Sequence, residues 1–172
     1  SLVSSLEAVN QFNDLETGNH IKRLNLYSEL LANKLGCSKK FYEEIGRVAS
    51  LHDVGKIGID RSILKKPGKL TEEEFKVIKE HPEIGYEIIK KSGVSIMAEN
   101  IARYHHEKWD GSGYPCGLKG LEIPLEARIV SVVDVYDALR QKRVYKDGFT
   151  HEKAIEIIKN ESGKSFDPNI VK

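Results

Sequence analysis

The chain has 172 residues, 40% of them hydrophobic and 31% charged, which suits one folded domain with one core and excludes a disordered segment. Its 27 Lys and Arg against 26 Asp and Glu exclude binding of a nucleic acid polymer through bulk charge, so any phosphate must be met by a few placed residues. No apolar run approaches the roughly 20 residues that span a bilayer, no membrane contact is expected, and two cysteines, Cys37 and Cys116, suit a reducing cytoplasm better than a disulfide framework.

In chain order the pattern is helical throughout. Residues 2–16 place Leu2, Leu6, Val9 and Phe12 or Asn13 on one stripe. Residues 19–35 do the same with Ile21, Leu24, Leu31 and Leu35, and Gly36 follows where a helix-ending glycine belongs. Ser38 caps a third helix over 39–53, with Phe41, Ile45, Val48 and Leu51 or His52 turned inward. A loop from Gly55 to Lys69 holds the turn dipeptide Pro67-Gly68. Thr71 and Glu74 form a capping box. The helix they open breaks near His81-Pro82, because proline has no N–H to give and restrains the residue before it. Pro82 restarts a helix to about Lys91. One more covers 95–107, a glycine-rich loop spans 110–120, a long helix runs from Pro124 to about Arg140, and Thr150 caps another to about Asn160. The expectation is an all-α, single-domain bundle of six or seven helices, with both ends reading as cuts within a longer multidomain protein.

Five of the six histidines fall where helices end, break or face one another. Glu16 and His20 are one turn apart on one face. His52-Asp53 close the third helix, His81 stands at the break, and His105-His106 end another helix. Asp134 interrupts the apolar run Ile129-Val130-Ser131-Val132-Val133, where a carboxylate needs a partner. Singly these residues signal little, but as an ordered set they read as a mixed imidazole and carboxylate metal site. Eight candidate ligands exceed what one tetrahedral ion uses, which implies at least two ions. Nitrogen and oxygen ligation without thiolate favours iron or manganese, and Asp53 is placed to bridge. His151, after a helix cap on a polar stretch, is left outside the set.

Other residues have two readings each. Lys56, four residues past His52, is within reach of an anionic phosphate, or is a surface lysine. Asp137 shares a helical face with Asp134 and either contacts substrate or orients a ligand histidine. Gly113-Tyr114-Pro115 alone is an ordinary turn that gains meaning from following His105-His106. Arg143 and Lys146 either hold substrate or complement a helix end.

These motifs resemble the HD-GYP domain, the extended branch of the HD phosphohydrolase superfamily. The resemblance rests on Glu16-Thr17-Gly18-Asn19-His20, HDVGKIGI at 52–59, Lys66-Pro67-Gly68, His81, HHE at 105–107, and Asp110-Gly111-Ser112-Gly113-Tyr114-Pro115 with Gly117-Leu118. It continues through Asp134, Asp137-Ala138-Leu139 and Arg143-Val144-Tyr145-Lys146, covering nearly the whole chain. It implies hydrolysis of the second messenger cyclic di-GMP to linear pGpG and then GMP, at a centre of two or three divalent metal ions. It also implies the ligands Glu16, His20, His52, Asp53, His81, His105, His106 and Asp134, with Glu16 tied to the third ion. Lys56 matches the phosphate-contacting lysine, and Tyr114, Arg143 and Lys146 match substrate-holding positions. A homodimer and a covalently linked sensory domain are the partners it implies. The chain departs from the common pattern at Ile59-Asp60-Arg61, at Arg140-Gln141-Lys142 and at Val144, none of them a proposed ligand. A non-catalytic cyclic dinucleotide receptor and an HD-fold di-iron oxygenase are the competing readings. The retained ligand set speaks against the first, and the cations Lys56, Arg143 and Lys146 speak against the second.

Overall fold

A computed structural model describes residues 1–14, 18–141 and 147–172, with the side chains of 12–14 aside. Among the described residues the secondary structure is helical, apart from a single bridge between Ser162 and Phe166. Helix α1 (Leu2–Asp14) leads to α2 (Gly18–Lys34), which pairs with α3 (Lys39–Val48). The chain then winds into a 3₁₀ segment, Ala49–Gly58, followed by the short helices α4 (Arg61–Leu64) and α5 (Glu72–Ile78). Helices α6 (His81–Ser92) and α7 (Ile96–Tyr104) both pack on the 3₁₀ segment. Helix α8 (Leu125–Arg140) packs against α2, α7 and α9 (His151–Asn160), and α10 (Pro168–Val171) closes the order. No helix among the described residues is long and apolar enough to cross a membrane.

The helix ends lie where local chemistry puts them. Ser38 Oγ accepts the Phe41 N–H at 3.2 Å, the Thr71–Glu74 capping box forms in both directions, and Thr150 Oγ1 accepts the Lys153 N–H at 3.2 Å. The break before His81 is present, with Pro82 in the first turn of α6. Leu24, Ile45, Leu51, Ile89, Ile101, Ile129 and Val130 are fully buried and form the core between these elements, each contributing about 1.5–3 kcal/mol.

Four expectations need correction. The third helix does not run to residue 53 but tightens to 3₁₀ at Ala49. The helix expected over 95–107 ends at Tyr104, leaving His105 and His106 in the turn beyond it. On α2 the buried positions are Ile21, Leu24, Ser28 and Ala32, while Leu35 is exposed, because the small residues let α3 and α8 approach. Helix α4, capped by Asp60, also occupies part of the segment expected to be a loop.

The change of pitch at Ala49 has a steric setting. A Cβ built on Gly55 would lie 1.9 Å from the His81 carbonyl oxygen and 2.5 Å from the Gly85 nitrogen. Backbone therefore meets backbone where the 3₁₀ segment crosses the first turn of α6. A polar knot holds the other side: Ser50 N–H donates to Asn25 Oδ1 at 2.9 Å, Asn25 Nδ2 donates to Glu7 Oε2 at 3.3 Å, and Ser50 Oγ donates to that same carboxylate. Gly55→Ala should therefore destabilise the fold by about 2 kcal/mol or more, as overpacking at a rigid backbone contact does. Denaturant unfolding of the two proteins checks this, and an unchanged midpoint would show that the crossing is not close.

Candidate metal centre

The 3₁₀ segment sets the site's first geometry. With three residues per turn, i and i+3 eclipse. His52 Nδ1 accordingly reaches the Ala49 carbonyl at 3.0 Å, and Lys56 Nζ lies 3.3 Å from Asp53 Oδ2. An α-helix over this stretch would have turned these four residues in other directions.

The same device recurs at each histidine. His81 Nδ1 lies 2.7 Å from the Ile78 carbonyl, and His105 Nδ1 lies 3.0 Å from that of Ile101 and 3.1 Å from that of Ala102. His20 Nδ1 lies 2.5 Å from Asp137 Oδ2. A carbonyl or an ionised carboxylate can only accept, so each Nδ1 carries the hydrogen, and at His52, His81 and His105 the Nε2 lone pair is turned toward the interior. His52 Nε2 stands 3.0 Å from Asp53 Oδ2 and 3.4 Å from Asp134 Oδ1, while His81 and His105 Nε2 each stand 3.3 Å from Asp53 Oδ1. All three of these buried nitrogens lack a hydrogen-bond partner among the described residues.

Buried polar atoms without partners are costly and rare. Here lone pairs face carboxylate oxygens at contact distance, an arrangement that a cation between them would satisfy and that nothing among the described residues does. Two groups of ligand atoms lie within 4.8 Å of one another: Asp53, His81, His105 and His106 in one, and His20, His52 and Asp134 in the other. The donor set fits divalent metal ions.

The electrostatics prepare the same state. Burial alone would raise the Asp53 pKa, yet His52 and Lys56 hold it well below the usual carboxylate range. Asp134 is likewise lowered against its burial, chiefly by His52. Burial, aided by His105, pushes His106 down to about 2, so that its ring is neutral. Burial alone would lower the His52 pKa, yet Asp53 and Asp134 hold it raised.

One expectation about the substrate residues comes out differently. Asp137 is fully buried: it accepts from Arg23 Nε at 2.6 Å and from Gln141 Nε2 at 3.3 Å besides holding His20. This corrects the substrate-contact reading in favour of the orienting one. Tyr114 lies over His106, its ring stacked at 4.9 Å between centroids and 17° between planes, and its hydroxyl is pushed up to about 12 by burial. Glu16, Arg143 and Lys146 lie outside the described residues. His151 is apart from both ligand groups, 2.8 Å from the Tyr136 hydroxyl on an exposed part of α9.

Two residues escaped the reading of the sequence. Arg23 lies one helical turn after His20, but its partner is on α8, 114 positions away, and no local signal marks it. Glu107 is buried, and its two oxygens accept the N–H groups of Cys116 at 2.6 Å and Leu118 at 3.0 Å, closing the glycine-rich loop. Gly113 lets that loop lie on the His105-His106 turn, where a Cβ would come within 2.4 Å of the His106 carbonyl oxygen.

If Asp137 fixes the His20 ring, Asp137→Asn should lower metal affinity at the His20, His52 and Asp134 group about 10- to 100-fold. His151→Ala should leave it unchanged. Calorimetric metal titration of the two variants checks the pair, and equal behaviour would refute the sorting of these residues.

Comparison with known proteins agrees with this chemistry. Residues 7–170 match the HD domain. The chain is 46% identical over 184 residues to a protein named cyclic di-GMP phosphodiesterase from Vibrio cholerae, covering 98% of this chain and 37% of the relative. It is 44% identical over 168 residues to one of the same name from Thermotoga maritima, covering 96% and 46%. The crystal structure of a cyclic GMP-AMP specific phosphodiesterase from Vibrio cholerae superposes with a TM-score of 0.72 at 21% identity, over 99% of this chain and 45% of that one. The chain thus spans less than half the length of these relatives. A match over this span, with relatives this similar and a Gly113-Tyr114-Pro115 loop laid on the histidine pair, means that the chain belongs to the HD domain family, in its HD-GYP branch.

Proposed function

We propose that this domain is a metal-dependent phosphodiesterase that opens cyclic di-GMP to linear pGpG and carries it on to GMP. The observation that supports it most is the inward-facing set of buried Nε2 lone pairs around Asp53, with the Lys56 ammonium 3.3 Å from that same carboxylate. A cation site beside a fixed lysine suits a phosphodiester better than a neutral substrate.

Asp53, His81, His105 and His106 would hold one ion and His20, His52 and Asp134 a second, with Glu16 serving a third. The absence of thiolate from the set points to iron or manganese. Such ions supply Lewis acidity toward a phosphodiester and acidify water enough for attack near neutral pH.

The protein's own groups do the rest. Lys56 meets the charge that grows on the scissile phosphate. Tyr114 keeps its phenolic proton and can donate it in a hydrogen bond to a phosphate oxygen. Arg143 and Lys146 hold the part of the substrate farther from the ions. The proposal places the domain in the cytoplasm, in a homodimeric signalling protein with a linked sensory domain.

Anaerobic purification with metal analysis, followed by chromatography of products from cyclic di-GMP, tests the reading. Two or three iron or manganese ions per chain and conversion to pGpG and GMP without oxygen are expected. A metal-loaded protein that leaves cyclic dinucleotides intact would refute it, and a requirement for oxygen would favour the oxygenase.

Two sets of variants separate the roles. Asp53→Ala should lose both metal and turnover, whereas Lys56→Ala should keep its metal and lose about 100-fold in kcat. Arg143→Ala and Lys146→Ala should mainly raise KM, because contacts made equally to ground and transition states do so. Steady-state kinetics with metal quantified in each variant decides between these outcomes.

A further inference from the structure

Helix α5, like the short α4 before it, has no buried residue. At its start the capping box and a 2.6 Å ion pair from Lys66 Nζ to Glu74 Oε1 hold it to the preceding loop. Its other attachment is aromatic. Phe75 meets Tyr114 edge to face, with centroids 6.3 Å apart and planes at 81°, and Tyr114 is in turn stacked on the ligand histidine His106. A ladder of rings thus leads from the metal cluster outward to Phe75, which is still 42% exposed. Above its end stands the Lys79 ammonium, 4.6 Å from the Phe75 centroid and 5.4 Å from that of Tyr114, without an ion pair among the described residues.

An exposed phenyl ring and a cation, two ring steps from the candidate reaction centre, are the two elements that recognise a purine. We propose that Phe75 and Lys79 form a base-binding shelf on which a guanine of the substrate stacks, with Lys79 donating to its O6 and N7. The inference rests on reading the site as a cyclic dinucleotide phosphodiesterase. A phosphodiester at the metal cluster brings one of its own bases within a nucleotide's reach of this ladder. Stacking on Phe75 accepts any base, because each has a π face. Lys79 supplies the discrimination: guanine presents two acceptors along this edge, whereas adenine replaces one of them with an amino donor that the ammonium can only repel. The simpler role for Lys79, covering an exposed ring at a helix C-terminus, would affect stability without distinguishing the two bases.

The metal-loaded protein should be assayed on cyclic di-GMP, 3′3′-cyclic GMP-AMP and cyclic di-AMP, with binding constants measured in parallel. Phe75→Ala should raise KM for all three about tenfold or more while metal content and kcat stay within about twofold, and Phe75→Tyr should retain the original KM. Lys79→Met should weaken cyclic di-GMP selectively, so that its advantage in kcat/KM over cyclic di-AMP falls about tenfold or more. An unchanged guanine-to-adenine ratio in Lys79→Met, or an unchanged KM in Phe75→Ala, overturns the shelf. A wild-type protein that hydrolyses none of the three overturns the phosphodiesterase reading instead. In that event the binding constants decide the shelf, and equal affinities of wild type and Lys79→Met for cyclic di-GMP refute it.

Discussion

At the centre of the molecule one carboxylate, Asp53, is faced by the Nε2 atoms of His52, His81 and His105 at 3.0–3.3 Å. Most of what surrounds it is explained by the need to hold these lone pairs there. Each imidazole spends its Nδ1–H on a backbone carbonyl three or four residues before it, so the tautomer and ring direction are decided by local backbone rather than by the cation. The cost is an interior that holds unpartnered polar atoms, and a divalent ion offsets it. Binding of a metal here would therefore be coupled to folding.

That arrangement depends in turn on two changes of backbone direction. The 3₁₀ segment rotates His52, Asp53 and Lys56 onto the lines they need, and the absent side chain of Gly55 lets this segment lie directly on the turn that carries His81. The stop of α7 at Tyr104 frees His105 and His106 to point inward from consecutive positions, which a continuing helix would have splayed by about 100°. Regular helix supplies the scaffold, and irregular helix ends supply the ligands.

Outside the ligands the structure holds things in place through buried charge. Asp137 has no exposed surface and ties His20 to Arg23, so α8 and α2 are fixed to each other through a candidate ligand. Glu107 does the corresponding job for the glycine-rich loop, gathering two backbone N–H groups so that Tyr114 lies over His106. Both carboxylates are buried with partners supplied, which is the condition under which such burial is tolerated.

The sequence by itself determined the helices and much of the cation chemistry. Caps at Ser38, Thr71 and Thr150 and the break at Pro82 are local hydrogen-bond and steric facts, complete within a few residues. The histidines and carboxylates were legible as a set because few other functions call for these residue types at so many helix ends. The remainder depends on contacts between distant elements. The tightening at Ala49 follows the close crossing of α6, the burial of Asp137 follows its meeting with Arg23 across 114 positions, and the loop-closing role of Glu107 needs the loop folded back upon it. Phe75 and Lys79 carry no motif of their own and gain meaning from lying beside Tyr114. Local signals are written in neighbouring residues, but which lone pairs converge on one point is a property of how the helices pack.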